Sequence, residues 1–230
     1  MFFNCITRKI CNFGRLKKID VKRLTLLFLF ILSLSSLSAQ VIAVQSFEQA
    51  ASDTWVPLSL STANCTVGGD RWDYSTSLST ITPNHLTQFW GIQDLNGNCG
   101  GASETLTLPN VDITVCATAT FAFDYYIIGY ESTDDITYEL FYDNIGQGAV
   151  SLTPGGSPFS TGGWSTVSIA IPGGVTNVSV VITVTQNGGS DYAGIDNINI
   201  SGTGCAPCVP LTEPVNQITA QSTTNITCAS

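Results

Sequence analysis

The chain has 230 residues, with 17 acidic and eight basic side chains and a formal net charge of −9 at pH 7. Seven of the eight bases precede residue 24, so residues 40–230 carry 16 acids and one base, Arg71, a net charge of −15. Such an acidic surface excludes nucleic acid and anionic membranes as partners, because it offers almost no cations to phosphate groups, and it can attract divalent cations.

The N-terminal segment has the layout of a secretory signal peptide. Basic residues as far as Arg23 are followed by the apolar run LTLLFLFILSL from Leu24 to Leu34 and then by SSLSAQ. A basic region, a short apolar run and a small residue at the cut are typical of such leaders. The run is shorter than the about 20 residues of a membrane span. We therefore expect cleavage after Ala39, a leader over residues 1–39, and a secreted, extracellular or cell-surface chain without a membrane span.

The rest of the chain shows β-periodicity. Short runs of alternating apolar residues, separated by Gly, Asn, Asp and Pro, recur without a sustained helical period. The predicted strands cover residues 41–47, 88–95, 104–109, 118–130, 135–143, 164–172, 178–185 and 192–205. In the longest run, Phe121 and Ile127 share one face, while Asp124 and Tyr126 share the other. Many strands and no helices predict a two-sheet antiparallel sandwich over residues 40–204.

The last segment, residues 205–230, differs in composition from the segments before it. CAPCVPLTEPVNQ is punctuated by proline and predicts a linker, and ITAQSTTNITCAS is typical of the first strand of a further, incomplete module. We therefore expect one domain over 40–204, followed by a linker and the start of another module.

Six cysteines follow residue 39, and an even number in an oxidising compartment favours disulfide bonds, with 15 pairings open for six. Cys205 and Cys208 form a CxxC pair, but the sequence has one histidine and no second CxxC, which disfavours zinc. A redox CxxC would be followed by a helix, whereas Val-Pro-Leu-Thr-Glu-Pro follows here. The cysteines are therefore interpreted as structural.

A family pattern is legible in the order of the segments. In chain order these are SFE (46–48), Cys65, DRWDY (70–74), FWGIQDLNG (89–97), LTLPNVDI (106–113), TVCATATFAFDYYIIGY (114–130), ITYELFYD (136–143), GGWSTVSIAI (162–171) and VSVVITVTQNGGSDYAGIDNINISGTGC (178–205). This order resembles the MAM domain of cell-surface adhesion proteins and its relatives in bacterial surface proteins. The resemblance implies a jelly-roll β-sandwich, of the concanavalin A-like or carbohydrate-binding-module type, that mediates adhesion or recognition and has no catalytic activity.

The same resemblance implies a disulfide pattern. In the family, the cysteine before the long aromatic strand pairs with the one after the last strand. A further family cysteine stands just before Phe-Glu and pairs with the next one, but here the Phe-Glu at 47–48 has no cysteine before it. The expected bridges are therefore Cys116–Cys205, Cys65–Cys99 and Cys208–Cys228.

An acidic residue inside the closing strand needs a partner. Asp196 is of a type depleted in strands, and a buried carboxylate without partners is costly. One interpretation is a calcium ion held by Glu48 and Asp196, because the first and last strands of a jelly roll commonly lie close together and related carbohydrate-binding modules use an early Glu and a late Asp in this way. Asp94, in a segment that fails the EF-hand template, could lend a further oxygen. The alternative is an aspartate that accepts backbone N–H groups at a bulge or strand end.

Several aromatic and acidic side chains are candidates for ligand binding or catalysis. Flat aromatic rings stack on sugars, and Trp90 and Tyr130 are predicted to form a ligand face, whereas Trp164 is interpreted as core. Asp124 and Glu139 are the nearest approach to a glycosidase carboxylate pair, but both are expected to face solvent. With one histidine and no lysine after residue 39, no catalytic residue is predicted.

The sequence therefore predicts a secreted recognition or adhesion module that binds an extracellular glycan or a surface protein, with calcium as the candidate cofactor. The alternative is a non-catalytic accessory domain of a larger secreted hydrolase, such as a protease, nuclease or glycosidase, with its catalytic part beyond residue 230. A third hypothesis is a purely structural spacer. An exposed aromatic patch would distinguish a binding module from a spacer.

Overall fold

The computed structural model describes residues 39–49, 51–60, 65–99, 101–153 and 158–206. Except for Ala39 and residues 205–206, the leader predicted over 1–39 and the tail predicted over 205–230 lie outside these ranges. The expected bridge between Cys208 and Cys228 lies outside them as well. Within these ranges, no helix has the length and apolar character needed to cross a membrane.

The described residues form thirteen β-strands and no helix. In chain order the strands are β1 (Gln40–Gln45), β2 (Ser59–Leu60), β3 (Cys65–Val67), β4 (Asp70–Ser75), β5 (Phe89–Gln93), β6 (Ser103–Asp112), β7 (Thr118–Ile128), β8 (Asp135–Tyr142), β9 (Ile145–Gly146), β10 (Val150–Ser151), β11 (Ser165–Ile171), β12 (Asn177–Thr185) and β13 (Tyr192–Thr203). They make two antiparallel sheets that pack as a jelly-roll β-sandwich, which confirms the predicted fold class.

The longest strand, β13, organises the seven-stranded sheet. The order of this sheet is β11-β7-β13-β5-β4-β3, and β1 also pairs with β13. Strand β5 pairs with β13 along residues 192–195, and β1 pairs with it along residues 198–202. The first and last strands therefore lie side by side, as expected for a jelly roll. The six-stranded sheet has the order β10-β8-β12-β6-β2, with β9 paired to β8.

The main core lies between the two sheets and follows the period-two patterns of the sequence. On β12 the alternate residues Val178, Val180, Ile182 and Val184 are all fully buried. Strand β7 sends Phe121 inward in the same way. Because each strand of a sandwich turns every second residue to the interior, the alternating runs correctly predicted these core faces.

Two disulfide bonds join distant parts of the seven-stranded sheet. Cys65–Cys99 links the start of β3 to the loop after β5 and closes a separation of 34 residues. Cys116–Cys205 links the segment before β7 to the end of β13 across 89 residues. Both expected bridges are confirmed. In the chain-entropy account they contribute about 4 and about 5 kcal/mol respectively, since the longer loop loses more freedom when it is closed.

Candidate functional site

The two aromatic residues predicted to face a ligand are buried. Trp90 is 1% exposed and Tyr130 is 0% exposed. The ring of Trp90 packs among those of Phe47, Trp72 and Tyr74, with centroid separations of 5.7, 5.3 and 5.1 Å. Tyr130 pairs through its backbone with residue 159 beyond the end of β7. The prediction that these rings form a ligand face is therefore wrong, because neither reaches the surface.

A different group of aromatic side chains lies on the outer face of the seven-stranded sheet, the face turned away from the main core. Leu78, Ile81 and Phe89 are buried there, and four half-buried side chains pack against them, namely Tyr126, Ile128, Trp164 and Tyr192. We call Phe89, Tyr126, Trp164 and Tyr192 the outer aromatic cluster. Its last three members keep part of their rings at the surface.

Strand register brings these side chains together. In the antiparallel pair of β7 and β13, Tyr126 lies opposite Gly194 and Ile128 lies opposite Tyr192. These positions alternate with residues that point into the core, such as Ile127, so they must point outward. The period-two alternation of the sequence predicts Tyr126 on the outer side of β7. The same alternation applied to β13 would have identified Tyr192 as an outward residue.

Trp164 belongs to the outer aromatic cluster and not to the main core, so the interpretation of this residue as core is wrong. Its indole N–H donates to the carbonyl oxygen of Thr82 at 2.8 Å. Its ring meets Phe89 edge-on at 5.7 Å and Tyr126 at 5.9 Å, with interplanar angles of 83° and 70°. A Cβ at Gly194 would lie 2.9 Å from both the Trp164 and the Phe89 rings. Glycine at this position is therefore what lets the indole approach the sheet backbone.

The loop that carries Leu78 and Ile81 over this face, residues 76–88, is anchored near its end by Glu48. One carboxylate oxygen of Glu48 accepts the backbone N–H groups of Thr87 at 2.7 Å and Gln88 at 2.6 Å, and the other accepts the Thr87 hydroxyl. Partial burial raises the pKa of Glu48, but these hydrogen bonds outweigh it, and the pKa is lowered from its usual 4.5. Glu48 is therefore an ionised anchor that ties the segment after β1 to this loop.

Asp196 anchors the same loop from β13. One of its oxygens accepts the backbone N–H groups of Asn84 at 3.1 Å and His85 at 2.8 Å, and the other accepts that of Asn197 at 2.7 Å. Asn197 has a φ of 49°, and the β7–β13 register shifts between Asp196 and Asn199, so the aspartate stands at a β-bulge. Burial raises the pKa of Asp196 to about 7, although the three backbone donors lower it.

Among the three predicted calcium ligands, Glu48 and Asp196 bind the same loop, whereas Asp94 lies away from Asp196. Asp94 directly follows Gln93, which pairs with Tyr192 of β13. Asp196 lies four residues beyond Tyr192 on the same strand, a distance of about 13 Å at the rise of a β-strand. Hydrogen-bond donors surround both Glu48 and Asp196, which matches the alternative in which Asp196 accepts backbone N–H groups at a bulge. Calcium binding by these residues stays a prediction, since their hydrogen bonds already supply the partners for which a cation was invoked.

The two carboxylates considered as a glycosidase pair belong to different sheets. Asp124 lies on the outer side of β7, where it accepts the side-chain N–H of Asn84 at 3.0 Å and the hydroxyl of Thr166. It is 7% exposed, so the expectation that it faces solvent is wrong. Glu139 lies on β8 in the six-stranded sheet and accepts the backbone N–H of Gly148 at 3.2 Å. The two side chains point to opposite outer faces of the sandwich and form no pair.

No protein-family model and no curated protein matches this sequence. Among solved structures, the chain is similar to the carbohydrate-binding module TmCBM61 in complex with beta-1,4-galactotriose, with 11% identity, a TM-score of 0.42 and coverage of 67% of this chain and 92% of that one. It is also similar to the K3 cleaved adhesin domain of Lys-gingipain from Porphyromonas gingivalis, with 13% identity, a TM-score of 0.40 and coverage of 72% and 99%. A module of Cellvibrio mixtus lichenase 5A in complex with cellotriose gives 15% identity, a TM-score of 0.35 and coverage of 71% and 99%. The MAM resemblance stays a prediction.

Proposed function

We propose that this protein is a recognition module that binds a glycan on the outer aromatic cluster. The observation that carries the proposal is the presence of three half-buried aromatic residues, Tyr126, Trp164 and Tyr192, grouped on one outer face of one sheet. Aromatic side chains grouped at a surface mark a binding site more often than apolar residues scattered singly.

Aromatic rings suit the chemistry of sugars. The C–H groups on the faces of a pyranose ring are apolar and can pack on an aromatic face, while the ring hydroxyls at the edge need hydrogen-bond partners. The outer aromatic cluster is held rigid from beneath by Phe89, which is fully buried, and from the side by the bond of Trp164 to Thr82. A rigid platform loses little conformational entropy when a ligand binds, which favours affinity on a shallow surface.

Polar groups border the aromatic rings on the same face. Gln93 lies opposite Tyr192, and Arg71 lies opposite Gln93, in one row across β13, β5 and β4. Both side chains are half-buried, and an amide and a guanidinium are able to contact sugar hydroxyls. On the other side of the patch, the exposed Thr166 donates its hydroxyl proton to Asp124, which leaves the hydroxyl oxygen to accept from a sugar. The strongly negative charge of residues 40–230 favours neutral over acidic glycans.

The proposal includes an extracellular location and a non-catalytic role. The two disulfide bonds support the extracellular location, because such bonds persist in oxidising environments and are uncommon in reducing compartments. The carboxylates on the outer face, Asp124 and Asp196, are engaged in holding the loop, which supports a structural use of these acids.

A glycan array followed by calorimetry on the strongest hit tests the proposal. We expect Tyr192→Ala and Tyr126→Ala each to weaken binding by about tenfold, because each removes one stacking ring. The matched control is Tyr142→Ala, which removes a half-buried tyrosine from β8 of the other sheet and should leave affinity unchanged. Equal binding by wild type and the two outer-face variants would refute the site. Failure of the wild type to bind any glycan would overturn the glycan proposal and direct attention to a protein partner on the same face.

A further inference from the structure

Two buried carboxylates lie together beside the first residue of β13. Asp134, in the loop between β7 and β8, is 3% exposed, and Asp191, immediately before β13, is 6% exposed. Both carboxylates lie against residues 187–188, Asp134 through the backbone N–H of Asn187 and Asp191 through its close approach to Gly188. Buried carboxylates that lie near each other repel when both are ionised, and a proton or a cation relieves that repulsion.

The surrounding backbone is shaped to hold this pair. The oxygens of Asp134 accept the backbone N–H groups of Glu131 at 3.0 Å and Asn187 at 3.2 Å, so the carboxylate connects two loops. The carboxylate of Asp191 lies so close to Gly188 that a Cβ there would be 1.9 Å from its oxygen. Any side chain at residue 188 would therefore displace the carboxylate from its partner.

Two buried oxygens on the segments that carry the pair, those of Gln186 and Tyr130, have no hydrogen-bond partner among the described residues. Gln186 is 0% exposed, and its amide N–H donates to the backbone oxygen of Asp191, which places the unpartnered Oε1 of the same amide next to Asp191. The hydroxyl of Tyr130 is likewise buried and unpartnered. Burial raises the pKa of Tyr130 well above 10, and the charges of Asp134 and Asp191 add to the effect. Unpaired buried oxygens are costly unless something binds them.

Further acids strengthen the negative potential of this end of the molecule. The Asp94 carboxylate lies against Gly189, the residue after Gly188, since a Cβ on Gly189 would stand 3.2 Å from it. Glu131, whose backbone N–H donates to Asp134, adds another carboxylate, and the negative charges of these acids repel one another. A cation would relieve this repulsion, because it offsets the charge of every acid in the group.

We propose that Asp134 and Asp191 bind a divalent cation of the calcium class, with Oε1 of Gln186 as a third ligand. Calcium accepts carboxylate, amide and backbone oxygens in a flexible shell of six to eight, and the remaining positions fall to backbone carbonyls and water. Within the described ranges no group of three or more His, Cys, Asp or Glu side chains is arranged to hold a metal. A site with two carboxylates therefore predicts weak binding, with a Kd of about 10⁻⁴ to 10⁻³ M.

The site goes beyond the proposed function and has a consequence for it. Asp191 directly precedes Tyr192 of the outer aromatic cluster, and the loop that ends at Asp134 follows Ile128. Binding of a cation would join the loops 129–134 and 186–191 and thereby fix the end of β13 that carries Tyr192.

Calcium titration of the full protein, followed by calorimetry and thermal unfolding, tests the site. At a calcium concentration ten times the Kd we expect a rise in Tm of roughly 3 °C over the value in chelator. Asp134→Asn and Asp191→Asn should abolish this rise. In chelator, Asp191→Asn should melt above the wild type, because it removes one of two repelling charges. The control is Asp112→Asn, which alters an exposed carboxylate at the end of β6 in the other sheet and should keep the full response to calcium.

Gln186→Met provides a readout that leaves every charge in place. It removes the amide oxygen from the proposed ligand set, and we expect it to weaken calcium binding by about tenfold, a loss of one ligand worth about 1.4 kcal/mol. Wild-type protein that shows no calcium binding by calorimetry and an identical Tm with and without chelator overturns the proposal. Calcium binding of wild-type strength in the Asp134→Asn, Asp191→Asn double variant also overturns it, since the cation would then be held elsewhere.

Discussion

The packing of Trp164 over Gly194 makes a sharp prediction for Gly194→Ala. The added methyl group would stand 2.9 Å from both the Trp164 and the Phe89 rings, whereas carbon atoms in contact are separated by about 3.5–4.0 Å. One ring must therefore move by at least about half an ångström. Phe89 is fully buried and has no room, while Trp164 is half-buried at the edge of the cluster. We expect the indole to be displaced outward.

The cost of this change follows from the contacts that it breaks. Overpacking a well-filled site costs about 1–3 kcal/mol, and loss of the hydrogen bond from Trp164 to Thr82 adds about 1 kcal/mol. Replacing glycine by alanine inside a strand raises the free energy of unfolding by about 0.5–1 kcal/mol, because it lowers the entropy of the unfolded chain. The free energy of unfolding should therefore fall by about 1–3 kcal/mol.

Fluorescence and denaturation together test this reasoning. All four tryptophans lie within the described ranges, and Trp164 is the one among them that is not fully buried. Quenching of tryptophan fluorescence by acrylamide therefore reports chiefly on the Trp164 ring. Gly194→Ala should increase quenching and lower the urea midpoint. Gly173→Ala is the matched control, because a Cβ at Gly173 meets nothing within 4 Å, and it should leave both measurements nearly unchanged. If Gly194→Ala behaves like this control, the indole does not lie over Gly194 and the outer aromatic cluster is wrong.

Three further outcomes are expected from urea denaturation. Trp90→Ala should lower the free energy of unfolding by about 3–5 kcal/mol, because a buried ring leaves a cavity; a loss below 1 kcal/mol would contradict its burial. Replacing Cys116 and Cys205 by serine should cost about 4–5 kcal/mol, since an 89-residue separation is no longer closed, and a stability unchanged from that of the wild type would contradict the bridge. The pKa of Asp196 is raised to about 7 from 3.8, so its contribution to stability is present below pH 4 and lost by pH 7. Asp196→Asn should flatten this fall, and an unchanged pH profile would show that Asp196 does not titrate there.

The fold was predictable from the sequence because period-two patterns survive in strands that are covered on one side only. Strand β12 alternates strictly between buried and half-buried residues, and its pattern could be read directly. Strand β5 is different, since its first four residues are all buried. The main core covers Trp90 and the loop of residues 76–88 covers the other face, so alternation there gives no indication of which ring reaches the surface. The wrong assignment of Trp90 as a ligand residue has this physical origin.

The outer aromatic cluster was partly predictable. Trp164 has the opposite parity to Val167 and Ile169, which were expected to point inward, so the same pattern indicated an outward indole. The partners of Asp196 were not predictable, because the backbone donors that reach it lie 111 and 112 residues away in sequence. Contacts of that separation depend on how a loop crosses the sheet. The local patterns of a single sequence do not show the course of such a loop.

The bridge between Cys116 and Cys205 also determines how the molecule would respond to mechanical load. Strands β7 and β13 are paired down to Thr118 and Thr203, immediately inside the two cysteines. Tension applied to the chain after residue 206 would pass through the sulfur atoms to the base of β7 before it could peel β13 from its neighbours. The hydrogen bonds between β7 and β13 would otherwise break one after another from this end, and the covalent link shields them.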